Sequence, residues 1–83
     1  MLDTEVKALL QSREPNWQFE VRGEGRNFQI DAISDDFAAM PRVKRQQAVY
    51  RLIADEIAEG VLHAITIAAM TTDEWNTKKG LGI

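Results

Sequence analysis

The sequence predicts a small α/β domain built on a three-stranded mixed sheet, and three observations carry that prediction. Two alternating segments, Trp17–Arg22 and Phe28–Ala32, flank the turn residues Gly23-Glu24-Gly25-Arg26, the pattern of a β-hairpin. A long amphipathic stretch follows, from Pro41 to about Glu59, with Gly60 as its stop. A β-branched, apolar run from Leu62 to Ala69 then returns the chain as a third strand. The hairpin makes the first two strands antiparallel, and a strand–helix–strand crossover makes the second and third parallel.

The order of elements is α-β-β-(α)-α-β-(α). A first helix starts after Asp3, whose carboxylate can accept from free N–H groups of the first turn. Leu2, Val6, Leu9 and Leu10 share one face, and Pro15-Asn16 ends the helix. In the hairpin Trp17, Phe19 and Val21 point one way, and Gln18, Glu20 and Arg22 the other. Ser34–Met40 is a connector holding Phe37. Pro41 suits a first helical position, and Val43, Tyr50, Ile53, Ala54 and Ile57 form the buried stripe of one continuous second helix. The third strand is expected to be the most buried of the three. Thr71 and Glu74 have capping-box spacing ahead of Trp75, which predicts a short last helix. One domain over residues 1–75 is expected, with 76–83 a flexible tail.

The chain has 83 residues, a size near the lower limit for folding on a core alone. It has no cysteine, hence neither disulfides nor thiolate chemistry of its own, which suits a reducing compartment. The first residues include Asp3 and Glu5 and no long apolar run, unlike a signal peptide or membrane span. A cytoplasmic protein without membrane contact is therefore expected. The formal charge of −3 argues against a nucleic-acid coat but leaves room for a local basic patch.

No Ser-His-Asp arrangement, phosphate-cradling glycine loop or HExxH motif is present, so a non-enzymatic protein is expected. Asp35-Asp36 could hold a cation, but reads more readily as a connector or helix cap. His63 is the one histidine. It is either a strand-end residue that hydrogen-bonds locally or a metal ligand, since neutral imidazole binds iron and zinc well. One ligand does not hold a metal, so any tight site must draw on another molecule. Arg42, Lys44, Arg45 and Arg51 give the second helix a basic start. They are either a solvated face or a contact for an anionic partner, because cations at a helix N-terminus oppose its dipole. Trp17, Phe28 and Trp75 read as core and anchor residues before they read as base-stacking platforms.

At this point the chain resembles the BolA family, and within it the short bacterial branch often called YrbA or IbaG type. The matching residues are Phe37–Val49 (FAAMPRVKRQQAV) with Tyr50, then Leu62-His63-Ala64-Ile65, then Asp73-Glu74-Trp75. The hairpin VRGEGRNFQI matches the family's short-loop version. The resemblance covers nearly the whole chain and rests on these elements together, in order and at family spacing.

The resemblance implies a BolA-like, type II KH-like α-β-β-α-β fold with a three-stranded mixed sheet packed by helices on one face. It implies a role in iron–sulfur cluster trafficking or redox sensing with a monothiol glutaredoxin. A [2Fe–2S] cluster would be shared with the glutaredoxin and glutathione, and the matching imidazole is His63. Some family members are DNA-binding transcription regulators in the stress response, through the region matching Pro41–Arg51. Three departures stand out. The loop Gly23–Asn27 has neither the His nor the Cys that many members use as a second ligand, leaving Glu24 as an oxygen donor ill suited to such a cluster. Asn27 stands where the branch often has His. No glycine lies between Phe28 and Glu59, so the GxxG clamp of a KH domain is missing.

A glutaredoxin partner should dock on one surface joining His63, the hairpin loop with Arg26 and Asn27, and the cations Arg42, Lys44 and Arg45. The rivals are a DNA-binding regulator using the second helix, and an adaptor in which His63 is structural.

Overall fold

The computed structural model describes residues 1–25 and 27–80. Helix α1 (Asp3–Arg13) leads into the hairpin of β1 (Gln18–Glu24) and β2 (Asn27–Ile33). A 3-10 turn over Asp35–Ala39 connects to α2 (Arg42–Leu52) and α3 (Ala54–Ala58), then β3 (Ala64–Met70) and α4 (Thr72–Gly80). The sheet order is β1-β2-β3, antiparallel then parallel, which is the mixed sheet the sequence predicts.

The register stacks the apolar positions on one face. Phe19 pairs with Ala32 and Val21 with Ile30. Phe28, Ile30 and Ala32 in turn pair with Ile65, Ile67 and Ala69. Val6 and Leu10 of α1, Phe37 of the connector, Val49 and Ile53 of the second helical region, and Leu62 close over this face, all fully buried. Burying each such side chain stabilises the fold by about 1.5–3 kcal/mol before entropy is counted. Trp17 packs on Phe37 with ring centroids 4.7 Å apart, and its indole N–H donates to Asp36 at 2.9 Å.

The opposite face is polar but not bare. Asp31 alternates with Ile30 and Ala32, so it points away from the core, yet it is only 2 % exposed. Lys78 of α4 reaches it at 3.9 Å, and Arg22 at 3.5 Å, so α4 lays its C-terminal half over this face.

Several details depart from the sequence reading. The second helix is not continuous: it breaks at Ile53 (φ −125°, ψ 15°), which turns Ile53 into the core. Val43 and Tyr50 are not in its buried stripe but 66 % and 47 % exposed, and Val49 is the buried residue of α2. The predicted stripe presumes a longer, unbroken helix. The most buried strand is β2, not β3, because β2 is central and β3 forms an edge. Helix α1 starts at Asp3 itself, with Leu2 exposed at the cap and Glu5 accepting from the Leu2 N–H at 2.6 Å. Pro41 is the cap residue of α2, one position earlier than expected.

The last helix starts at the predicted capping box. Thr71 Oγ1 accepts from the Glu74 N–H at 3.2 Å, and Glu74 accepts from the Thr71 N–H at 2.7 Å. It runs on through Asn76 to Gly80, so residues 76–80 of the expected tail are helical, and 81–83 lie outside the described residues.

Candidate functional site

Two backbone devices place His63. The chain leaves α3 through Gly60, whose φ of +78° is left-handed and favours glycine. The N–H groups of Val61 and Leu62 both donate to the Glu56 carbonyl, at 3.0 and 3.2 Å, which ties the turn to the helix. Leu62 is then fully buried. The next side chain, His63, is exposed just before β3 and makes no hydrogen bond to a described residue. The sequence placed it at the opening of the third strand; that strand starts one residue later, at Ala64.

The sheet register brings the hairpin end to the same place. Asn27 pairs with Ala64 and Glu24 with Asn27, so the β1–β2 turn lies beside the start of β3. Arg22, Asn27, Gln29, Ala64 and Thr66 line a shallow depression there, on the face opposite the core. Gly23 lets the two strands approach: its φ is +129°, and an added Cβ would meet the carbonyl of Asn27 and lie 3.0 Å from the Phe28 Cα. Next along β2 from the depression, Asp31 takes a hydrogen bond from Gln29 at 3.1 Å besides its contacts to Arg22 and Lys78. Asp31 was missed by sequence reasoning. Its one available signal is a carboxylate facing a cation, Arg22, near it on the neighbouring strand. Arg26 lies outside the described residues, as does the side chain of Glu24.

The basic start of α2 does not join this cluster. Arg45 donates to the Ala69 carbonyl at 3.3 Å and Gln46 to the Ile67 carbonyl at 2.6 Å, so α2 starts beside the far end of β3. At about 3.3 Å per residue, the ends of β3 are roughly 20 Å apart. Arg42 and Lys44 are exposed and form no ion pair among the described residues. Arg45 is different. Its side chain is only 13 % exposed and also bonds the Met40 carbonyl at 3.1 Å and Glu74 at 2.9 Å. Glu74 is consequently held below the usual carboxylate range, first by the Thr71 N–H and then by Arg45. Arg51, exposed near the other end of α2, lies toward the His63 end of β3.

Asp35 and Asp36 serve as caps and acceptors: Asp35 accepts from the Thr72 N–H at 3.2 Å, and Asp36 from Trp17. Among the described residues no three His, Asp or Glu side chains converge as a metal site, which leaves His63 a lone donor.

A family model described as BolA-like protein matches residues 3–74. The chain is 36 % identical over 75 residues to the acid stress protein IbaG of Escherichia coli, covering 90 % of this chain and 89 % of that one. It is 37 % identical over 54 residues to the DNA-binding transcriptional regulator BolA of Vibrio cholerae, covering 65 % of this chain and 50 % of that one. In fold it is similar to a BolA protein homologue from Coxiella burnetii, with a TM-score of 0.80 at 17 % identity, covering 92 % and 97 % of the two chains.

Proposed function

The chain belongs to the BolA-like protein family, and from that premise we propose that it is a non-enzymatic, cytoplasmic partner protein that lends His63 to a [2Fe–2S] cluster shared with a monothiol glutaredoxin and glutathione. The observation that supports this most is the state of the imidazole. His63 is exposed, has no hydrogen-bond partner among the described residues, and is held by a backbone anchored on both sides, by Leu62 in the core and Ala64 in the sheet. A ligand needs that combination of freedom at the ring and rigidity at the backbone.

The donor set fits a contribution of one ligand and not a whole site. No second histidine and no cysteine exist in the chain, so sulfur donors must come from the partner and from glutathione. Bound between the partners, such a cluster supplies iron and sulfide for transfer, or one electron for sensing. What this chain supplies is the imidazole, a rigid strand start, and a polar rim of Arg22, Asn27 and Gln29 beside it. Arg42 and Lys44 sit by the far end of β3, roughly 20 Å from that rim, so they meet the partner only where its footprint runs the length of the strand. No helix among the described residues is long and apolar enough to cross a membrane.

The test is reconstitution with a monothiol glutaredoxin, glutathione, iron and sulfide, followed by visible absorption. The expected result is a heterodimer spectrum that His63→Ala alters or bleaches while leaving the melting curve in place. An unchanged cluster spectrum would remove His63 as a ligand.

A second reading is a DNA-binding regulator. The likeness to the Vibrio cholerae regulator and the exposed Arg42, Lys44 and Arg51 favour it. With Arg45 bonded internally, few cations remain to meet phosphates, so duplex binding should collapse as salt rises. Sequence-selective binding at physiological ionic strength would reverse the order of the two readings.

A further inference from the structure

Strand β3 is an outer strand of the sheet, and its free edge is of an unusual kind. The Met70 carbonyl accepts from Ser34 on the inner side, at 3.0 Å. By strand alternation, Ala64, Thr66, Ala68 and Met70 therefore face β2, and Ile65, Ile67 and Ala69 turn their backbone groups outward. Two of the outward carbonyls are occupied, but by side chains: Gln46 on Ile67 at 2.6 Å and Arg45 on Ala69 at 3.3 Å. The outward N–H groups meet no acceptor among the described residues.

Edge strands are commonly protected by a charge, a proline or a bulge on the strand itself. The β3 sequence AITIAAM has no charge and no proline, and it pairs with β2 in unbroken register over all seven residues. Its protection rests on one glutamine and one arginine from α2. Gln46 is exposed and can swing aside at little cost, because solvent or a new partner can take up its hydrogen bond, whereas Arg45 stays held by Met40 and Glu74. A groove of about 220 Å³ follows the edge, lined by Arg42, Arg45 and Gln46 on one side and Ile67–Met70 on the other. Ala68 and Ala69 have little bulk, so another backbone can come close. The cation that faces this groove without an ion partner among the described residues is Arg42.

We propose that the free edge of β3, from Ile65 to Ala69, receives an extended acidic segment of a partner protein as a fourth strand. The backbone of the segment replaces Gln46 on the Ile67 carbonyl and takes up the outward N–H groups, and its carboxylates pair with Arg42. This surface lies along the strand edge, does not use the imidazole of His63, and stands or falls separately from the cluster reading.

The probe is a short blocked peptide alternating valine and glutamate, with a valine–lysine peptide beside it. Amide exchange of the full chain is followed residue by residue. Binding of the glutamate peptide should slow exchange at Ile65, Ile67 and Ala69 by about tenfold or more, and leave Thr66 and Ala68, already paired to β2, unchanged. Gln46→Ala should tighten binding several-fold by removing the competing donor, whereas Arg42→Glu should weaken it. A structural role for Gln46 predicts no such gain. Three results would overturn the proposal: no binding, binding with those amides unprotected, or equal binding of the lysine peptide. Protection that grows with protein concentration alone would make the occupant a second copy of the chain, which also overturns it.

Discussion

Arg13 holds Glu56 in a two-pronged grip, Nη1 to Oε1 at 2.6 Å and Nη2 to Oε2 at 2.9 Å, and the same Nη1 donates to the Leu52 carbonyl at 2.6 Å. The break at Ile53 separates α2 from α3, and Leu52 ends α2 at that point. Arg13 supplies a donor to its carbonyl. One side chain at the end of α1 thus ties the helix break to the rest of the domain, and a bidentate pair fixes angle as well as distance.

Arg13→Lys is therefore not conservative here. An ammonium can reach one oxygen but cannot serve the carboxylate and the carbonyl with a planar fork. Both Arg13→Lys and Arg13→Ala should lower the melting temperature, the alanine variant more, with amide protection falling first in α3 and at Val61 and Leu62. Uniform loss of protection over all elements would show that the grip is not local.

The same pair sets an acid limb of stability. Glu56 is held below the usual carboxylate range, first by its hydrogen bonds from Arg13. A carboxyl whose folded value is depressed contributes fully above its unfolded value, and that contribution is lost as pH falls through the folded value. Denaturant melts at a series of pH values should thus show stability falling as pH drops below the ordinary glutamate range. The fall should be shallower in Glu56→Gln. Parallel acid limbs in the two proteins would mean that the pair contributes nothing measurable.

The three cations at the start of α2 should separate under substitution. Arg45 joins the end of the connector, the edge of β3 and the capping box of α4 through Met40, Ala69 and Glu74. Arg42 and Lys44 touch no carboxylate among the described residues. Arg45→Ala should lower the melting temperature by several degrees and loosen α4, while Arg42→Ala and Lys44→Ala leave it nearly unchanged. Equal effects at the three positions would contradict the internal role of Arg45.

That contrast marks where the sequence is legible. The hairpin, the crossover, the Gly60 stop and the Thr71–Glu74 box are local patterns, and the fold follows from them with most boundaries shifted by a residue or two and the last helix running five residues further, to Gly80. His63 is legible because it is the one imidazole. Tertiary distance is not local. The sequence sets the basic stretch Arg42–Arg45 and His63 in one surface. The antiparallel course of α2 along β3 puts them at opposite ends. The helical period that puts Val43 and Tyr50 in a buried stripe ends at Ile53, where the helix itself breaks. Asp31 reads as a solvent-facing strand residue, because nothing in its own strand announces that α4 will cover it.

Gly23 offers a test of the hairpin beside His63. Its φ of +129° is accessible to few L side chains, and a Cβ would run into the Asn27 carbonyl on the neighbouring strand. Gly23→Ala should cost about 1–3 kcal/mol and shift the resonances of Asn27, Phe28 and Ala64. Gly25, with φ +68° and open space around it, should tolerate alanine better. Equal costs at the two glycines would show that close strand approach is not what Gly23 provides.

Leu62 and His63 are neighbours with opposite assignments, and the pair separates a structural histidine from a functional one. Leu62 is fully buried and sits in the core cluster with Phe28 and Ile53. Truncating it leaves a cavity that the anchored turn cannot fill, so Leu62→Ala should destabilise by about 2–5 kcal/mol. His63 is exposed and bonds to no described residue, so His63→Ala should stay within about 0.5 kcal/mol of the wild type. Urea unfolding of both variants, with m-values compared, measures the two costs. A near-silent His63→Ala in that assay, together with a changed spectrum in the glutaredoxin mixture, is the outcome a ligand predicts. A loss of stability on the scale of Leu62→Ala would return the imidazole to the structural reading, whatever the spectrum does.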